Sequence, residues 1–155
     1  MSKIAVFPGS FDPITIGHES IIQRGLPLFD KIIIAIGENS TKQSFFPAAK
    51  RREQIKKVFA DEKKIEVKIY KGLTVDFCKT EQANYILRGL RTSSDFEFER
   101  VIAQMNHAMD ENIETVFILS TPELSAITST VVRDIIRNGG DASQFVPSAI
   151  RKALK

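Results

Sequence analysis

Short apolar runs alternate along this chain with longer stretches in which apolar positions recur at helical spacing. Ile4-Ala5-Val6-Phe7 reads as a buried first strand. It empties into Pro8 to Thr15, and from Gly17 to Leu26 the residues His18, Ile21, Ile22 and Gly25 recur at helical spacing, with Pro27 marking the end. Lys31-Ile32-Ile33-Ile34-Ala35-Ile36 is a β-branched run of the kind buried on both faces of a parallel sheet, followed by a polar loop, 37–42. Pro47 suits the first turn of a second helix with Ile55, Val58 and Phe59 as its stripe. Ile65 to Tyr70 alternates as a third strand, and a short helix is expected between Gly72 and Gln82. Tyr85-Ile86-Leu87 is a fourth strand ending at Arg88-Gly89. Ser94 to Asp110 is a helix with the stripe Phe98, Val101, Ile102, Met105 and Met109. Val116 to Leu119 is a fifth strand, followed by a loop, 120–128. Val131, Val132, Ile135 and Ile136 mark a helix stopped at Gly139-Gly140, and a last short helix covers 147–154.

Strands alternating with helices predict an α/β fold: one domain over 1–155, with a five-stranded parallel sheet and helices on both faces. Such sheets place ligands at the carboxyl ends of their strands. The polar residues converge there: Ser10 after the first strand, Lys42 after the second, Leu73 and Thr74 after the third, Arg88 after the fourth, and 120–130 after the fifth.

Composition narrows the classes. The chain has 155 residues, 43% hydrophobic, the amount one core requires. No apolar stretch reaches membrane-spanning length, and Met1 leads straight into a strand pattern without a signal-peptide core, so a cytoplasmic protein is expected. Cys78 is the sole cysteine, which excludes an intramolecular disulfide and a cysteine-rich zinc site; it reads as a buried filler. Net charge is only +3, and the basic run Lys50-Arg51-Arg52 with Lys56-Lys57 is broken by Glu53, so it reads as a solvated helix face and not a nucleic-acid patch. His107 lies in a helix interior away from any motif and reads as structural.

Three stretches carry candidate chemistry. In Pro8-Gly9-Ser10-Phe11-Asp12-Pro13-Ile14-Thr15-Ile16-Gly17-His18, a strand passes through a turn-forming loop into a helix start, whose free N–H groups and dipole suit a phosphate. Asp12 reads there as a turn former, with a water-mediated contact to Mg²⁺ as a second role. Arg88-Gly89-Leu90-Arg91 sets two guanidinium groups around a glycine, which lets backbone approach an anion. Leu124-Ser125-Ala126-Ile127-Thr128-Ser129-Thr130 puts hydroxyls before a helix, as caps or as an anion nest. There is no Walker-type loop, no Gly-x-Gly-x-x-Gly fingerprint and no apparent nucleophile relay.

Thr15-Ile16-Gly17-His18 resembles the (His/Thr)-x-Gly-His signature of the nucleotidylyltransferase superfamily, and the block from Pro8 to Thr15 is similar to its bacterial phosphopantetheine adenylyltransferase branch. The resemblance runs over essentially the whole chain. It implies a Rossmann-like domain that transfers AMP from ATP to 4′-phosphopantetheine in coenzyme A synthesis, with Mg²⁺ carried on the ATP phosphates and no protein metal site. It implies catalytic roles for His18 as transition-state stabiliser, Lys42 and Arg91. ATP contacts are implied at Ser10, Phe11, Gly17, His18, Gly89, Leu90, Arg91, Glu99, Leu124, Ser125, Ala126, Ile127, Thr128, Ser129 and Thr130. Phosphopantetheine contacts are implied at Ser10, Lys42, Thr74 and Arg88, and a homohexamer is implied as the assembly. Gln43, Phe98, Thr128 and Thr130 depart from residues common in that branch. A sister enzyme acting on nicotinamide mononucleotide, or with CTP on a phospho-alcohol, is the first alternative; a nucleotide-binding regulatory domain without turnover, or a weak RNA binder, is the second.

Overall fold

The computed structural model describes residues 1–39 and 43–154. Among them five strands form one parallel sheet: β1 (Ile4–Gly9), β2 (Lys31–Gly37), β3 (Ile65–Tyr70), β4 (Tyr85–Leu90) and β5 (Glu114–Leu119), in the order β3-β2-β1-β4-β5. The helices between them are α1 (Ile16–Gly25), α2 (Ala48–Val58), α3 (Thr74–Thr80), α4 (Ser93–Met109) and α5 (Ser129–Arg137). The terminal segment Ser148–Leu154 is a 3₁₀ helix. The predicted alternation, parallel sheet and single α/β domain are all present.

The core has two parts, because the central strands are apolar on both faces. Ala5 and Phe7 of β1, with Ile32, Ile34 and Ile36 of β2, pack with Ile21, Ile22, Ile55 and Val132. Val6, Ile33 and Ala35 point the other way, onto Val75 and Cys78 of α3. Cys78 is fully buried there, which fits its reading as a filler, and burial pushes its thiol up to about 11, with Asp110 adding to the shift.

Topology places the cleft. The chain leaves β1 to build β2 and β3 on one side, then crosses back to build β4 and β5 on the other. Between β1 and β4 the sheet therefore has a switch point, where open α/β sheets hold ligands. Registered pairing there stops after Ala5–Tyr85 and Val6–Ile86, whereas β1 pairs with β2 from Ile4 to Gly9. The two strands part before either ends, β1 running on to Gly9 and β4 to Leu90, so the crevice opens between their last residues and the loops that follow.

Three local expectations are revised. β4 continues to Leu90, so Arg88 lies within the strand and projects from its face; only Arg91 lies beyond it. The apolar stripe of α4 does not enter the core: Phe98 is 68% and Met105 58% exposed, and Glu99 is the only buried residue of that helix. Arg51 belongs to no solvated face. It is buried at the start of α2, while Lys50, Arg52, Lys56 and Lys57 stay exposed as expected.

On the same helix Gln54 is buried, and neither its Nε2 nor its Oε1 has a partner among the described residues. An unsatisfied buried amide costs roughly 1–3 kcal/mol. Gln54→Met, which keeps the shape without the dipole, is expected to raise stability by about 1 kcal/mol in urea unfolding. Native Cys78 is expected to react with a thiol reagent only as fast as the chain opens, which a comparison of rates in buffer and in urea will show.

Candidate active site

Where β1 and β4 diverge lies a cleft of about 370 Å³ walled by the loop after β1, the start of α1, the end of β4, the first turns of α4 and the segment before α5. Its floor is the stretch from Pro8 to Phe11. Donors from neighbouring elements meet carbonyls of this stretch and those of Asp12 and Pro13 just beyond it. Arg88 Nη1 donates to Pro8 O, Arg51 Nη1 to Ser10 O at 2.6 Å, Arg133 Nη1 to Asp12 O at 2.8 Å, and Ser129 Oγ to Pro13 O at 2.7 Å. These four bonds tie the stretch to β4, α2 and α5. Phe11 adopts a left-handed backbone, φ 49°, and is held there by near-complete burial of its ring.

His18 sits at the third position of α1. Thr15 is the N-cap: its Oγ1 accepts from the His18 backbone N–H at 3.3 Å, while its own N–H donates to His18 Nδ1 at 3.0 Å. This is a capping box with histidine in the place of the usual Glu or Gln. Because Nδ1 accepts, the neutral ring carries its proton on Nε2. The ring packs edge-on against Phe11, centroids 5.0 Å apart, and against Phe7 at 6.4 Å. Burial, then the charges of Arg88 and Arg91, lower its pKa to about 4. At neutral pH the group facing the cleft is a neutral imidazole with a fixed N–H donor.

Both cleft arginines are anchored. Arg88 gives Nε to Glu99 Oε2 at 3.0 Å and Nη2 to Glu99 Oε1 at 2.6 Å, a fork-to-fork pair that sets the plane of the guanidinium. Arg91 pairs with Asp95 in the first turn of α4 through Nε, at 3.0 Å, and its backbone N–H donates to the same carboxylate at 3.1 Å. A Cβ at Gly89 between them would lie 3.0 Å from Ile21 Cγ1, tight enough that the isoleucine would have to shift, so α1 packs closely onto the strand end. A second, more apolar cavity of about 230 Å³ adjoins the cleft through Pro8, Gly9, Arg88 and Glu99, and extends under α4 to Tyr70, Thr74, Ile102 and Asn106.

The cytidylyltransferase-like family matches residues 6–135. A phosphopantetheine adenylyltransferase of Flavobacterium johnsoniae is 52% identical over 147 residues, covering 95% of this chain and 96% of that one. Another, from Christiangramia forsetii, is 51% identical over 150 residues, covering 97% and 99%. The chain belongs to the phosphopantetheine adenylyltransferase family. Among solved structures, one described as a nicotinate-nucleotide adenylyltransferase from Vibrio parahaemolyticus superposes with TM-score 0.73 over 99% of both chains, at 20% identity, and so shares the fold.

Most residues that the family resemblance singles out meet at the cleft. Ser10, Phe11, Gly17, His18, Arg88, Gly89, Arg91, Glu99, Leu124, Ile127, Thr128 and Ser129 line it. Leu90, Ser125, Ala126 and Thr130 are not among its lining residues. Instead Ser125 Oγ donates to Thr121 O at 3.2 Å, and Thr130 Oγ1 accepts from Arg133 Nη2 at 3.2 Å. Thr128 also realises the capping alternative, since its Oγ1 accepts from Val131 N at 3.2 Å. Thr74 lines the second cavity and shares a hydrogen bond with the Tyr70 hydroxyl at 2.8 Å. Lys42 lies outside the described residues. His107, as expected, is tied locally, its Nδ1 3.1 Å from Ile113 O.

Residue patterns did not reveal the supporting groups. Asp12 is a connector: its Oδ2 accepts from Phe45 N at 2.7 Å and its Oδ1 from Phe46 N at 2.8 Å, so its carboxylate is committed to backbone. Asp95, Arg51 and Arg133 were hidden in ordinary helical charge patterns. The one readable hint was Asp95 at i+4 from Arg91.

The lowered pKa of His18 fixes a sign. The unfolded chain takes up its proton near the ordinary value of 6.5 and the folded chain only near 4, so the unfolded state binds more protons between them. The contribution is complete above about pH 6.5 and is lost as pH falls toward 4. His18→Asn, which keeps an acceptor for Thr15 N–H but does not titrate, is expected to flatten this limb in urea unfolding at pH 7 and pH 4.5.

Proposed function

We propose that this chain transfers AMP from ATP to 4′-phosphopantetheine, releasing pyrophosphate and forming dephospho-coenzyme A. The observation that carries the reading is the neutral His18 ring, its Nδ1 held by the Thr15 amide, lining one cleft with the anchored Arg88 and Arg91. An acceptor phosphate oxygen attacks the ATP α-phosphorus, a new O–P bond forms, and the bond to the bridging oxygen breaks toward pyrophosphate. The nucleophile arrives already ionised, so the protein supplies position and charge stabilisation, not a base. His18 donates to the phosphoryl oxygens as charge builds, and the amide edge of the loop at Ser10 and Phe11 receives the phosphates.

In this reading the nucleotide occupies the side of β1 that carries Gly89, Arg91 and the segment before α5. The acceptor lies toward Ser10, Thr74 and Arg88, with its apolar arm in the second cavity, and the family resemblance assigns Lys42 to its phosphate. ATP enters as its Mg²⁺ complex. The nearby carboxylates of Asp12, Asp95 and Glu99 are committed to amides and arginines, which favours phosphate oxygens and water as the ligands of that ion. The assembly is a homo-oligomer, a hexamer by the family resemblance; the exposed apolar row of α4 supports it, and sedimentation will test it.

Pyrophosphate release with Mg²⁺-ATP is expected with 4′-phosphopantetheine and not with pantetheine or nicotinamide mononucleotide. Release with nicotinamide mononucleotide alone would keep the chemistry and discard the acceptor. His18→Ala is expected to lower kcat by about 10²–10³-fold, as loss of a transition-state donor does, with a smaller change in KM. Arg91→Ala is expected chiefly to raise the KM for ATP, measured by titrating ATP at saturating acceptor.

A further inference from the structure

Asp12 and Arg51 are charged, buried and outside the residues assigned to substrate. Between them they make four hydrogen bonds to main chain: the two at Asp12 run from one loop to the other, and the two at Arg51 tie the start of α2 to both. Asp12, in the loop after β1, accepts from the amides of Phe45 and Phe46, in the loop after β2. Arg51, at the start of α2, donates Nε to Phe46 O at 2.9 Å and Nη1 to Ser10 O at 2.6 Å. The crossing is reciprocal: a carboxylate on one loop holds the N–H groups of the other, and a guanidinium beside the second holds the carbonyl groups of both.

We propose that Asp12 and Arg51 are positioning residues that clamp the Ser10 loop to the 43–47 loop, and thereby set the acceptor side of the cleft. This rests on the transferase reading above. Two features give the side. In the sheet order the clamp belongs to the half made by β1 and β2, whereas Gly89, Arg91 and the 124–130 segment hang from β4 and β5. The clamped loops carry Ser10 directly and follow Lys42 in the chain; both residues are assigned to the acceptor phosphate, Ser10 to ATP as well, whereas the other nucleotide contacts apart from Phe11, Gly17 and His18 lie at the end of β4, on α4 and in the 124–130 segment. Neither Asp12 nor Arg51 lines the cleft, so their action is exerted through the backbone they hold. Arginine suits the post because one planar fork reaches two carbonyls at once, which an ammonium group does not reproduce.

The test uses the full chain with initial-rate kinetics and amide hydrogen exchange. Arg51→Met is expected to raise the KM for 4′-phosphopantetheine about tenfold while leaving the KM for ATP within about twofold. It is also expected to speed exchange of the Phe45 and Phe46 amides, although it removes no acceptor from them. Arg51→Lys, which keeps one of the two carbonyl contacts, is expected to fall between Arg51→Met and wild type and serves if Arg51→Met does not fold. Asp12→Asn combined with Arg51→Met is expected to cost no more than the worse single change, since the clamp is already open. Equal rises in both KM values, or wild-type exchange at Phe45 and Phe46 in Arg51→Met, would overturn the proposal. A wild-type chain without acceptor-dependent pyrophosphate release would overturn the transferase reading instead, and the exchange measurement would still decide whether the clamp exists.

Discussion

The parting of β1 from β4 after Val6 and Ile86 is the constraint on which the rest depends. In a parallel sheet each backbone group near a strand end must find a ladder partner or another donor or acceptor. Beyond the last registered pair these two strands have no ladder between them, and the facing edges must be satisfied by something else. Arg88 meets that need from within β4 by donating to Pro8 O, and Glu99 of α4 holds the arginine from behind. The crevice is thus a consequence of chain order, kept open by a side chain that spans it.

The same logic extends along the floor. A loop rich in Pro and Gly cannot satisfy its own carbonyls, and here arginines and a serine from β4, α2 and α5 do so one by one. Electrostatically this gathers three guanidinium groups around the loop. It also explains why His18 stays neutral. Its ring is enclosed by Phe7 and Phe11 and lies near two guanidinium groups, all of which disfavour a further proton.

Much of this was legible in the chain. The β-branched run of β2 and the helical spacing after Gly17 carried the architecture, because burial on two faces leaves an unambiguous pattern. The motif at 8–18 pointed to the cleft, because it joins a strand end to a helix start and ends in a histidine at the first turn of that helix. What was not legible has physical reasons. Helical spacing in α4 shows that Phe98 to Met109 share a face, but not what covers it. Arg51 looks in sequence like its exposed neighbours Lys50 and Arg52; only the arrival of two carbonyls from loops distant along the chain makes it a core residue. Asp12 in the same way has its partners more than thirty residues away.

The capping box at Thr15 and His18 joins two properties that most proteins keep at separate positions. The hydrogen bond that starts α1 is the one that fixes which nitrogen of the ring bears the proton. A side chain that caps well in its place, such as glutamate, would present no donor to an anion, and one that donates, such as lysine, would leave the Thr15 amide without an acceptor. Tolerance to change at this position is therefore narrowed from two directions at once, by the helix and by the chemistry, to side chains that carry an acceptor and a donor together, as imidazole and the carboxamides do.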